Sequence, residues 1–164
     1  MILGMSPLLF VHVVLSLVGI VSGFIVVAGF LRSEQRAGWA AIFLLTTLAT
    51  SLTGFPLPAD RLLPSHIVGI LSVVVLAAAL AALYLFRLAG SWRWIYVIGS
   101  VTALYFNFFV LVVQAFRRIP ALHALAPTES EAPFAIVQGI VLIAFVALGI
   151  AATRAFRVGS PLPA

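Results

Sequence analysis

The sequence predicts an all-α fold: a polytopic transmembrane helix bundle of five spans, one integral membrane domain over residues 1–164, with the N-terminus outside and the C-terminus inside. The first observation behind this is composition. Hydrophobic residues make up 64% of the chain and charged residues 8%, against about 25% charged in an ordinary soluble domain. So little polar surface cannot coat a soluble globule, and intrinsic disorder needs the opposite balance. The second is five apolar runs, each near the roughly 20 residues needed to cross the hydrocarbon of a bilayer. The third is punctuation. All nine prolines and every Arg, Asp and Glu fall between these runs or at their ends. A proline would break a helix interior, and an ionised side chain at mid-membrane costs several kcal/mol.

The first span, about Leu8–Leu31, follows Pro7 and stops at Arg32. His12, Ser16, Gly19 and Gly23 recur along it at helical spacing, and Gly19 and Gly23 form a GxxxG pair of the kind that lets helices approach closely. The second, Trp39–Phe55, is short for a span. It carries Thr46, Thr50 and Thr53 on one face and runs into Pro56 and Pro58. The third, His66–Arg87, opens after Pro64 with Gly69, Ser72 and Ala79 in a stripe. The fourth, Trp94–Arg117, aligns Gly99, Ala103, Asn107 and Gln114. The fifth, Phe134–Arg154, begins after Pro133 and places Gln138, Gly149 and Ala152 along its length. Stripes of small and polar residues are packing seams between membrane helices.

Orientation follows from the positive-inside rule. No basic residue precedes the first span, and Arg32 and Arg36 follow it directly. That also argues against a cleaved signal peptide, which has a basic leading segment. The predicted inner side holds Arg32, Arg36, Arg87, Arg93, Arg154 and Arg157 with a single acid, Glu34. The outer side holds Arg61, Arg117 and Arg118 with Asp60, Glu129 and Glu131. The whole net charge of +5 therefore sits inside and is a topology signal. Trp39, Trp92 and Trp94 gather at the same inner interface, where indoles prefer to lie. Because the arginines are scattered between apolar runs and form no basic patch, no nucleic-acid partner is expected. The outer loops, Gly54–Ser65 and Arg118–Pro133, are long and proline-rich and are expected to form an ordered lid.

Several chemistries are absent. Without cysteine the chain has no disulfide, thiolate metal site or c-type haem attachment. It contains no GxSxG, HExxH, P-loop or dinucleotide fingerprint, so no enzymatic reaction is legible. No carboxylate lies within a span, which disfavours an ion-coupled transporter.

The depth of the larger polar groups is the functional clue. At about 1.5 Å per residue, His12 lies about 7 Å below the outer edge, Gln114 about 4 Å, Gln138 about 6 Å and Asn107 about 15 Å. His66 stands at that edge and His123 in the loop above it. The polar groups thus gather in the outer half, where they predict a ligand site made from His12, His66, Asn107, Gln114 and Gln138, with Arg61 above it. Haem b would use His12 and His66 as axial ligands with Arg61, Arg117 and Arg118 meeting the propionates. A quinone or other lipophilic ligand would use the aromatic segment Tyr105–Phe109 with Gln114 and Gln138. A metal would draw on His12, His66 and His123 with Asp60, Glu129 or Glu131. The alternative is an accessory or assembly subunit of a larger membrane complex, docking a partner helix on the alanine tract Ala77–Ala79 and Ala81–Ala82, while the glycine seam of the first span could serve an internal contact or a homo-oligomer. An arginine-only basic set with abundant alanine points to a GC-rich bacterial genome, and so to a multi-pass protein of the bacterial inner membrane.

Overall fold

The computed structural model describes residues 6–55 and 64–157, with backbone alone at 64–66. Among them every regular element is helical, and five helices are long and apolar enough to span a membrane. These are α1 (Pro7–Leu31), α2 (Ala37–Gly54), α3 (Pro64–Leu80, prolonged by a wide turn over Ala81–Leu85), α4 (Trp92–Arg118) and α6 (Ala132–Ala155). A short helix, α5 (Pro120–Leu125), was not expected from the sequence. The expected span boundaries agree with these helices to within two residues. The differences at the starts of α1, α3 and α6 share one cause. Pro7, Pro64 and Pro133 sit inside the first helical turn, where the missing N–H has no partner to lose.

Local signals set the ends. Ser6 caps α1 by accepting from the Leu9 N–H at 3.2 Å. At the far end of α3, a hydrogen bond from the Phe86 N–H to the Ala81 carbonyl (3.0 Å) widens the last turn. Arg87 and Leu88 then reverse the chain with φ of 48° and 61°, and the Leu88 N–H reaches back to Ala82 at 2.9 Å. Phe86 stacks flat on Trp92 across this turn, with centroids 3.7 Å apart. The left-handed region costs a residue with a Cβ about 1–2 kcal/mol, most for a β-branched one. Arg87→Val is therefore expected to lower stability by about 1 kcal/mol, while Arg87→Gly is tolerated. Thermal unfolding of both variants in detergent checks the order, and equal melting would refute it.

The helices alternate in direction. His12 of α1 meets Thr53 near the end of α2. At the opposite end, Ser33 after α1 hydrogen-bonds both the carbonyl and the N–H of Arg157 after α6, at 3.0 and 2.9 Å. There too Arg93, at the start of α4, donates to the Phe156 carbonyl at 2.5 Å. The bundle thus has a His12 end and an arginine end. Helix α4 is central and packs on α1, α2, α3, α5 and α6, whereas α6 lies at the edge. The core at the arginine end is aromatic, with the Phe30 ring 5.3 Å from Tyr96 and 4.9 Å from Phe156.

Of the two loops expected as a lid, residues 56–63 lie outside the described residues. The other is ordered. Arg117 and Glu129 form an ion pair that closes the α4–α6 connection. The Glu131 carboxylate accepts from the Thr128 N–H and hydroxyl (3.1 and 2.9 Å) and from the Ser130 N–H (3.1 Å). Ala126 is buried against Val112 and Phe116, so this segment covers the ends of α4 and α6.

Candidate functional site

His12 lies half-buried in the second turn of α1, with its ring against Gly54, the last residue of α2. Its Nδ1 is 3.1 Å from Thr53 Oγ1. Thr53 has one hydroxyl hydrogen, and that oxygen lies 2.7 Å from the carbonyl of Ala49 on its own helix. Threonine hydroxyls in helices bond back to such carbonyls. With its hydrogen directed there, Thr53 accepts from His12. The tautomer protonated on Nδ1 fits this arrangement and would leave Nε2 as an acceptor. A partner on one ring nitrogen fixes the orientation of the ring and the role of the other nitrogen.

One turn deeper, Asn107 of α4 joins the same face of α1. Its Oδ1 accepts from Ser16 Oγ at 2.8 Å, and its Nδ2 donates to the Ser16 carbonyl at 3.3 Å. Gly19 makes this approach possible. A Cβ there would stand 2.9 Å from Thr47 Oγ1, 3.0 Å from Asn107 Nδ2 and 3.4 Å from Thr46 Oγ1. Thr47 Oγ1 is buried and has no hydrogen-bond partner among the described residues. The structure thus gathers His12, Ser16, Asn107, Thr47 and Thr53 along the joint of α1, α2 and α4.

The other expected site residues are placed elsewhere. Gln138 is buried on α6, where its Nε2 donates to the Phe109 carbonyl at 3.2 Å and its Oε1 has no partner among the described residues. Gln114 is exposed and faces away from the cluster, its Oε1 3.4 Å from Arg118 Nε on its own helix. His123 is exposed on α5, which packs on α4. His66 lies in the first turn of α3, but its side chain, like the whole of Arg61, lies outside the described residues. Among the described residues no three of His, Asp and Glu come together as a metal site would require.

The aromatic segment expected to form a cleft is packed. Tyr105 and Phe108 each approach Phe145 of α6 with centroids 5.6 Å apart, and Phe24 of α1 closes on Phe108 at 6.0 Å. The alanine tract is also used inside the chain. Ala79 and Ala82 are fully buried, and a Cβ on Gly99 of α4 would stand 3.2 Å from that of Ala79. In the sequence Thr53 stands out only as part of a packing stripe, and Thr47 lies outside that stripe. The available signal was that Thr53 and His12 fall at the same end of adjacent antiparallel spans. Compared with protein-family models, with curated proteins and with solved structures, the chain matches none of them.

Proposed function

We propose that this chain is a multi-pass protein of a bacterial inner membrane, with the His12 end toward the extracytoplasmic side, and that it binds a lipophilic ligand there through His12. The observation that carries the reading is the hydroxyl geometry around the ring. Thr53 Oγ1 lies 2.7 Å from the Ala49 carbonyl and 3.1 Å from His12 Nδ1, which supports a hydroxyl that gives its hydrogen to Ala49 and accepts from Nδ1, with Nε2 left as the acceptor. An acceptor selects a ligand that donates: the phenolic hydroxyl of a quinol fits, whereas the oxidised quinone offers only carbonyls.

Haem b is favoured less by the same geometry. Axial ligation by His12 and His66 needs the two helices to face each other across the porphyrin. The end of α2 stands between them, with Gly54 against His12 and Phe55 against Gly69 of α3.

The test is binding of a short-chain benzoquinol and its quinone to protein in nanodiscs. The quinol is expected to bind about tenfold more tightly than the quinone, the difference of roughly one hydrogen bond to a prepared acceptor. His12→Ala removes that preference. Thr53→Val, which leaves the ring unanchored, weakens quinol binding with no loss of folded protein. Equal binding of both redox forms, or an unchanged His12→Ala variant, refutes the reading. A Soret band lost on His12→Ala would replace it with haem.

A further inference from the structure

The arginine end holds a cavity of about 540 Å³ between the start of α4 and the end of α6, lined by Leu88, Gly90, Arg93, Trp94, Thr153, Arg154 and Arg157. We propose that this cavity is a binding site for the phosphate headgroup of an anionic membrane phospholipid.

Three arginines, Arg93 of α4, Arg154 of α6 and Arg157 just beyond it, line one concavity, and among the described residues no carboxylate pairs with any of them. The acids that the structure describes are engaged or distant. Glu34 is held by Arg36 at 2.8 Å, and Glu129 is paired with Arg117 at the opposite end of the bundle. Glu131 closes the turn beside Glu129. Like charges converging without a counterion repel one another, and a bound anion removes that repulsion. Guanidinium is the group that grips phosphate oxygens in paired hydrogen bonds.

The surroundings select a lipid over a soluble anion. Arg93 stacks over the Trp94 ring at 4.7 Å, and Trp94 is exposed on the apolar surface, where an indole sits at headgroup level. Leu88 adds an apolar wall, and Thr153 spends its hydroxyl on the Gly149 and Ile150 carbonyls at 2.8 and 2.9 Å, leaving charge as the attractive element. Basic pockets between helices at the cytoplasmic interface bind anionic headgroups for these reasons. The positive-inside rule accounts for arginines on this side, but not for three of them meeting in one cavity.

Arg93 also holds the Phe156 carbonyl, so the test uses the other two. Native mass spectrometry of the protein released from micelles with equal phosphatidylglycerol and phosphatidylcholine is expected to show retained phosphatidylglycerol. The double variant Arg154→Gln/Arg157→Gln lowers that retention about tenfold, as the loss of two charge-assisted contacts implies. Arg154→Lys/Arg157→Lys keeps the charge and the fold and retains intermediate binding. Arg32→Gln/Arg87→Gln, which removes two arginines of the same end that do not line the cavity, leaves retention unchanged. Equal retention of both lipids by the wild type overturns the proposal, as does equal loss in the Arg32/Arg87 variant. Displacement of the lipid by millimolar inorganic phosphate overturns the lipid source.

Discussion

Gly23→Ala is expected to lower the stability of the bundle by about 2 kcal/mol, and Gly23→Leu to prevent the α1–α2–α4 seam from closing. A Cβ at Gly23 would stand 2.7 Å from Leu104 Cδ1 of α4 and 2.9 Å from Phe43 Cε2 of α2. Phe43 and Leu104 are fully buried, so neither side chain has open space to move into. In lipid the apolar medium gives no hydrophobic drive for helix association, and close packing carries the seam. The comparison is Gly139→Ala on α6, where a Cβ meets nothing within 4 Å. That variant is expected to be neutral or slightly stabilising, because alanine favours a helix by up to about 1 kcal/mol over glycine. Unfolding in mixed micelles measures both. If Gly23→Ala melts with the wild type, the seam is not close-packed.

The legible part of the fold was what membrane physics imposes on any sequence. A span must be long, apolar and free of ionised groups, so five runs punctuated by proline and arginine locate α1, α2, α3, α4 and α6 within two residues. Which helices touch was less legible, because a seam of small residues says that a face is packed and not what packs on it. Gly99 was read as a packing position, yet only the structure gives Ala79 as its neighbour. The central place of α4 rests on such pairings. The left-handed reversal at Arg87 and Leu88 was hidden for another reason. Neither residue type announces a positive φ, and Gly90, which does, adopts one of 53° just beyond.

The site was legible as a depth and not as a set of contacts. His12 and Asn107 stand out by polarity within apolar runs, and the structure places both on one face of the α1 joint. Gln114 was expected beside them because it continues the Asn107 stripe seven residues on. The structure instead places Gln114 at the surface near the end of α4, beside Arg118. The arginine cavity was missed because each of its arginines was already explained by topology. One sufficient reason for a residue conceals a second.

Asn107 supplies the other large effect. Asn107→Leu removes two interhelical hydrogen bonds but leaves an apolar side chain in an apolar setting. Its expected cost is about 1 kcal/mol, since hydrogen bonds between membrane helices average well under 2 kcal/mol each. The Ser16 hydroxyl freed by the change has its own helix carbonyls to turn to, as Ser22 turns to Val18 at 2.6 Å. Asn107→Asp keeps the shape and the acceptor for Ser16, yet is expected to be worse, by about 3 kcal/mol for an acidic group at the centre of a span. The nearest groups offer it no cation: Ser16, Thr46 and Thr47 are all uncharged. The order leucine milder than aspartate separates two accounts of this position. If Asn107 mattered mainly through shape and the Ser16 bond, aspartate would be the gentler change. If it matters because the joint of α1, α2 and α4 excludes both water and charge, leucine is. Folded yield and unfolding midpoints of the two variants in the same lipid decide between these accounts, and an aspartate variant as stable as wild type would place water or a cation at the joint.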